Sequence, residues 1–181
     1  TDVFQILNAV RGTPVPPKAA GAQAGQAAAI SAWSPSNLAR GIGSVGVWVG
    51  RALRALILER SAYREVAQDA SMTGPALLIA VLAALVEMLV VTGGFDGPFL
   101  VIRLGLWLLA VLFIFAAGRL LSGKGAFTRT FRAVGFAQVA WFLGLLALIP
   151  PIAPLARLIA VLYAFFAVWL GAAEAHETKG W

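Results

Sequence analysis

From Pro75 to Ala173 the chain carries four long apolar runs separated by short polar breaks. At about 1.5 Å of helical rise per residue, each run reaches the ~30 Å of bilayer hydrocarbon, directly or after modest thinning. A soluble core would not need four such runs. We therefore predict an all-α, polytopic transmembrane helical bundle with spans at residues 75–92, 98–121, 133–149 and 152–173.

The composition agrees with a membrane protein, because only 12% of the residues are charged and 60% are hydrophobic, against about 25% charged in soluble proteins. There is no cysteine, which excludes disulfides, thiolate metal sites and cysteine nucleophiles. We predict three segments: an irregular low-complexity extension at 1–41, a cytoplasmic or interfacial amphipathic helical segment at 42–73, and the transmembrane domain at 74–181.

The first two segments differ in kind. A Gly/Ala/Gln-rich stretch, Ala19–Ala29, cannot bury enough apolar surface to fold alone. It is therefore either a flexible tail or a segment that docks on a partner. The sequence GVWVGRALRALIL at residues 46–58 alternates apolar residues with Arg51 and Arg54, which predicts a helix lying in the interface with Trp48 at headgroup level.

Basic residues in short loops set the orientation of a membrane protein. The break after the second run has no acid, and the break after the first run, Gly93–Gly97, holds only Asp96. This alternation predicts a cytoplasmic N-terminus, and it explains the net charge of +6 without nucleic-acid binding. We assign four basic residues to the cytoplasmic loop: Arg119, Lys124, Arg129 and Arg132.

Small residues spaced three or four apart mark faces where transmembrane helices pack closely. Three of the four runs carry such faces, and the pattern leaves open whether the partner helix belongs to this chain or to another. The predicted packing residues are Ala76, Ala80, Ala84, Ala140, Gly144, Ala160, Ala164, Ala167 and Gly171.

Two ionisable residues lie inside apolar sequence, where charge is costly. Glu87 and Arg103 lie at equal distances from Phe95, so an antiparallel hairpin places them at the same depth. We predict a structural ion pair, with Arg103 reaching outward to the headgroups or a proton or ion relay as alternatives. Gln138, near the middle of the third run, is expected to form a hydrogen bond between helices.

Chemically specific motifs are absent from the sequence. His176 is the only histidine, and with no second ligand cluster we interpret it as a solvated helix end rather than a metal ligand. No nucleophile has a base nearby and no glycine loop is suited to phosphate. We therefore predict no catalytic residue, no metal and no cofactor.

Three segments together resemble bacterial members of the Yip family of polytopic membrane proteins, over about residues 51–178. They are RALILERSAYREVAQDASMTGPALLIAVLAAL, the turn GKGAFTRTFRAVGFAQ, and LIPPIAPLARLIAVLYAFFAVWLGAAEAHET. The resemblance implies a protein of a bacterial inner membrane that is not an enzyme. It also implies a fifth span after Trp181.

The sequence leaves two functional hypotheses. The first is a non-catalytic scaffold or accessory subunit that packs against other membrane proteins, in an energy-transducing, photosynthetic or secretion complex, or that organises the membrane. Its partners would be lipid and integral membrane proteins of unknown identity, with the N-terminal extension docked on one of them. The second is a channel or transporter subunit, although only Gln138 is clearly a midplane polar group.

Overall fold

The structure is a computed structural model, and it describes residues 31–122 and 125–177. Within these ranges it contains helices and no strand. Three helices precede the spans: α1 (Pro35–Gly43), α2 (Val45–Leu56) and α3 (Arg60–Gln68). The spans contain α4 (Thr73–Thr92), α5 (Gly97–Ser122), α6 (Phe127–Ala137) and α7 (Ala153–Ala175). Short 3₁₀ helices at Ala70–Met72 and Pro150–Ile152 precede α4 and α7.

Four stretches in the described ranges are long and apolar enough to cross a membrane: Ala70–Thr92, Gly97–Leu121, Phe127–Leu148 and Pro150–Ala175. The prediction of an all-α protein with four spans is therefore confirmed. The third span is α6 followed by a 3₁₀ helix, Gln138–Leu148. It begins at Phe127, six residues before the predicted start, because Arg132 is accommodated inside the protein instead of in a loop.

The helix α1 replaces part of the predicted irregular extension. Ser34 caps its first turn by accepting a hydrogen bond from the Asn37 amide at 3.3 Å, and Pro35 occupies the first helical position. The backbone of α1 lies against the start of α4, where a Cβ on Gly74 would come within 2.6 Å of the Leu38 carbonyl oxygen. Residues 1–30, which hold most of the predicted extension, lie outside the described residues.

Helices α1, α2 and α3 form a cap at the end of the bundle where α4 and α6 begin and α7 ends. Helix α3 contacts both α6 and α7, and Arg64 of α3 forms an ion pair of 2.9 Å with Glu174 near the end of α7. The main core joins cap to bundle, since buried Ala55, Tyr63 and Val66 belong to the same apolar cluster as Val111 and Phe136.

Candidate functional site

The loop between α4 and α5 sets the geometry of the predicted ion pair. Helix α4 ends at Thr92, and Gly93 follows in the left-handed conformation with φ of 72°, which glycine adopts without steric cost. The Asp96 side chain then accepts a hydrogen bond of 2.9 Å from the Phe99 amide at the start of α5. This tight turn brings two antiparallel helices together, with Glu87 and Arg103 at matching depth.

Arg103 is the centre of a polar cluster inside the spans. Its Nε donates a hydrogen bond to the Glu87 carboxylate, and its Nη2 donates a longer one, 3.4 Å, to Oε1 of Gln138. The guanidinium also lies over the Trp141 ring, 5.1 Å from the ring centroid, at a distance typical of cation–π contacts. The cluster therefore joins α4, α5 and the 3₁₀ half of the third span.

The charged groups of this cluster are paired with each other. The side chains of Arg103 and Glu87 are 17% and 20% exposed, and Gln138 is buried with its amide nitrogen 3.4 Å from the Val134 carbonyl oxygen. An open cleft of about 200 Å³ adjoins Glu87 between α4, the 3₁₀ helix and α7, and Trp141, Gly144 and Arg157 are among its lining residues. The sequence indicated the polar residues, but not that Trp141 joins them.

A second polar group clasps α2 to α3 on the cap. Arg54 bonds to both Glu59, at 2.6 Å, and Glu65, at 3.0 Å, while Arg51 bonds to Asp69 at 2.6 Å. The hydrogen bond from Arg54 lowers the pKa of Glu59 to about 2, and the same arginine lowers the pKa of Glu65. Both carboxylates are consequently charged at neutral pH, and the clasp is formed.

The described residues hold no group of three His, Cys, Asp or Glu side chains that could bind a metal ion. The charged and amide side chains of the intramembrane cluster contact each other or the backbone, whereas the buried indole Nε1 of Trp107 has no hydrogen-bond partner among the described residues. Chemically, the arrangement holds helices together.

Comparison with protein-family models matches the Yip1 domain to residues 53–181. The chain belongs to the Yip1 family. Neither the curated proteins nor the solved structures give a match. The family and the four apolar helices together identify a multi-pass integral membrane protein, and the family resemblance seen in the sequence is confirmed.

Arg132 of this Yip1-family protein corrects the loop assignment made from the sequence. It lies within α6 and is only 4% exposed. Its guanidinium donates two hydrogen bonds, of 3.2 and 2.5 Å, to the Ala67 carbonyl oxygen at the end of α3. Because the last carbonyls of a helix lack intrahelical donors, a buried arginine there caps α3 and fixes it on α6.

Two other arginines assigned to that loop also lie in helices. Arg119 is in the last turn of α5, and Arg129 is in the first turn of α6, where it forms an ion pair of 2.6 Å with Glu177. Lys124 lies outside the described residues. A hydropathy pattern assigns charged residues to loops because a charge is costly in lipid. In the structure, α5 and α6 extend beyond the apolar runs and include Arg119 and Arg129.

His176 corrects a second expectation, because it is buried and not a solvated helix end. It is 3% exposed and its Nε2 lies 3.2 Å from the hydroxyl of Thr130. Its ring lies so close to two glycines that a Cβ on Gly118 or Gly125 would approach it to 2.2 or 2.6 Å. The histidine thus fastens the end of α7 to α5 and α6, a contact that the sequence did not indicate.

The predicted packing residues lie inside this chain. At Gly171 a Cβ would approach the Ala133 carbonyl oxygen to 3.1 Å, which shows how closely α7 approaches α6. Most of these small residues therefore lie where helices of this bundle approach one another, whereas Gly144 and Ala160 line the cleft beside Glu87. All nine are buried: Ala76, Ala80, Ala84, Ala140, Gly144, Ala160, Ala164, Ala167 and Gly171.

Proposed function

We propose that this protein is a non-catalytic scaffold or accessory subunit that packs laterally against other membrane proteins, and that α5 carries the contact surface. One observation carries the proposal: α5 gives very little of its surface to its own bundle. Only 11% of its most apolar stretch is buried inside the chain, against 61% for the third span.

Helix α5 has one inward stripe and a broad outward face. Arg103, Trp107 and Val111 point inward at helical spacing, and the last two are buried. Most of the rest of the circumference carries large apolar side chains, with Val101, Ile102, Leu109 and Phe113 between 61% and 74% exposed. Large exposed apolar surfaces mark interaction sites, although in a membrane lipid is the competing occupant.

The contacts of the polar side chains support a structural role. Glu87, Gln138 and Arg132 each bond to a neighbouring helix or to backbone, as do Thr130 and His176. Groups that hold helices together are not arranged to bind and release a substrate. Of the four spans, α5 has the smallest buried share, so its large apolar residues are the surface that we propose for lateral contact.

Native mass spectrometry after purification in a mild detergent tests the proposal. We expect the wild type to co-purify with a stoichiometric membrane protein. The double variant Leu109→Ala/Phe113→Ala should lose this partner while keeping its helical content. The matched control is Phe165→Ala, an equally exposed position on α7, which should retain the partner. A monodisperse monomer in all three samples contradicts the proposal.

A channel or transporter subunit is the second candidate, and the cleft beside Glu87 is the observation that favours it. A carboxylate and Arg157 both line that cleft, which opens between spans. Ion or solute flux in proteoliposomes, abolished by Glu87→Gln but not by Glu174→Gln at the end of α7, would replace the scaffold proposal with this one.

A further inference from the structure

The turn between α2 and α3 lies alongside the transmembrane bundle, below the level at which α7 ends. We define the tip of this hairpin as Leu56–Leu58. The Tyr163 hydroxyl donates a hydrogen bond to the Leu56 carbonyl oxygen. Tyr163 precedes the last residue of α7, Ala175, by twelve residues, which is about 18 Å along an α-helix.

A tyrosine side chain reaches roughly 7 Å from its Cα. Even if it pointed straight toward the end of α7, the Leu56 carbonyl would lie about 8 Å below the level of Ala175, after a hydrogen bond of about 3 Å is allowed for. Helix α7 is about 35 Å long and the hydrocarbon is about 30 Å thick. In a bilayer centred on α7, the tip is therefore within the hydrocarbon.

The third span gives a second, independent measure of depth. Helix α2 contacts the 3₁₀ helix Gln138–Leu148, which begins eleven residues after Phe127, or about 16 Å into the span. Ala52 and Ala55 of α2 are buried in the same apolar cluster as Val139. A helix lying on the membrane surface would not reach that half of the third span.

A lipid-exposed turn needs internal hydrogen-bond partners for its backbone polar groups, and the four carbonyls that lead into the tip have them. The Ala55 carbonyl accepts from the Tyr63 hydroxyl at 2.9 Å, and the Leu56 carbonyl accepts from Tyr163. The preceding carbonyls, of Leu53 and Arg54, accept from the amides of Ile57 at 3.2 Å and Glu59 at 3.0 Å. Two tyrosines from different helices thus bond to carbonyls at the end of α2, and the Ala55 carbonyl also accepts from the Leu58 amide at 3.0 Å.

Near the tip the outward side chains of Leu53 and Ile57 are apolar, Arg54 is ion-paired, and Arg60 at the start of α3 is exposed. Leu53 is 59% exposed and Ile57 is 72% exposed, a costly arrangement in water. Arg54, the charged residue nearest to them, bonds to two carboxylates. Paired charges are cheaper near hydrocarbon than isolated ones.

We propose that the α2–α3 tip is inserted into the hydrocarbon of one leaflet, where Leu53 and Ile57 contact lipid acyl chains. The proposal differs from a helix lying flat in the headgroup layer, because α2 runs into the bilayer and the chain returns through α3. The lipid chain is the occupant of this face, as the two depth measures place it below the headgroups. The proposal is independent of which protein packs on α5.

The absence of cysteine in the sequence makes a single-cysteine test clean. The full chain carrying Ile57→Cys is labelled with an environment-sensitive fluorophore and reconstituted in vesicles of lipids brominated along the acyl chain. The matched controls are Phe165→Cys, an exposed mid-span position of α7, and Ser36→Cys, an exposed position at the start of α1. We expect acyl-chain bromines to quench the Ile57→Cys label at least half as strongly as the Phe165→Cys label, and the Ser36→Cys label far less.

The unlabelled cysteines give a second measurement in the same vesicles. A membrane-impermeant maleimide added to both sides should modify Ser36→Cys at least tenfold faster than Ile57→Cys. Quenching of the Ile57→Cys label no stronger than that of the Ser36→Cys label, with equal modification rates, would place the tip in water and overturn the proposal.

Discussion

Helix α5 and the third span are both apolar enough to cross a bilayer, yet they have opposite places in the bundle. The third span is the most buried of the four and α5 is the least buried. The third span carries small residues where neighbours approach, as at Gly135, where a Cβ would come within 2.8 Å of the Ala76 Cβ. Helix α5 instead carries leucine and phenylalanine on its exposed face, as at Leu109 and Phe113. Hydropathy identifies a span, whereas side-chain size indicates whether the span is central or peripheral.

The largest effect is expected from adding a side chain to a glycine of each region. Gly135→Leu forces α6 away from the backbone of α4 and should lower the free energy of unfolding by about 3 kcal/mol or more. Gly105→Leu on α5 has open space around its Cβ and should change it by less than about 0.5 kcal/mol. Thermal unfolding in detergent followed by circular dichroism measures both. Equal losses would mean that α5 is as tightly packed as α6.

The polar cluster joins the two regions, so breaking it is the next largest perturbation. Arg103→Gln leaves the Glu87 carboxylate without its cation, and we expect a loss of about 2 kcal/mol or more. The double variant Glu87→Gln/Arg103→Gln should lose less than the sum of the two single variants, because neither charge is then left alone. Additive losses in a double-mutant cycle would show that the ion pair does not couple α5 to the bundle.

A smaller effect is expected where the cap meets α7. Tyr163→Phe keeps the ring and removes the hydroxyl that bonds to the Leu56 carbonyl, which should cost about 1 kcal/mol. Hydrogen exchange at the amides of residues 53–59 should rise in this variant while the α5 amides stay unchanged. Unchanged protection at those residues would separate the cap from the bundle core.

The smallest effect concerns the clasp between α2 and α3 and depends on pH. The folded state holds the Glu59 carboxyl at a pKa of about 2, below its ordinary 4.5, so its contribution is present above pH 4.5 and is lost as the pH falls toward 2. The melting temperature of Arg54→Gln should be below that of the wild type at pH 7, and the difference should shrink in that window. Arg40→Gln, at an exposed residue of α1, should show no such pH dependence.

Much of the fold could be predicted because its causes are local. Apolar length gave the four spans, and the symmetric placement of Glu87 and Arg103 about the turn followed from helix geometry alone. Small-residue spacing indicated positions of close approach, but not which of them lie against a helix of this chain. Loop composition alone does not establish which face of the membrane holds the N-terminus, so that orientation stays a prediction.

The predictions that the structure corrected share one physical reason. The residues concerned make contacts with distant parts of the chain. The sequence alone suggests that Arg132 is a loop residue, because the Ala67 carbonyl that accepts its hydrogen bonds is 65 residues away. The sequence alone suggests that His176 is solvated, because its contacts with Gly118 and Thr130 form only in the folded chain. A charged or polar residue next to an apolar run is thus ambiguous, because a buried backbone or side-chain acceptor can offset the cost of leaving water.

The central claim is that the outward face of α5 is a contact surface for another membrane protein. The most direct measurement is cross-linking in native membranes from single cysteines at Phe113 and at Phe165, carrying the same photoreactive label. The account predicts one discrete protein adduct from Phe113→Cys and only lipid adducts from Phe165→Cys. Lipid adducts alone from both positions would contradict it, because α5 would then face the bilayer just as α7 does.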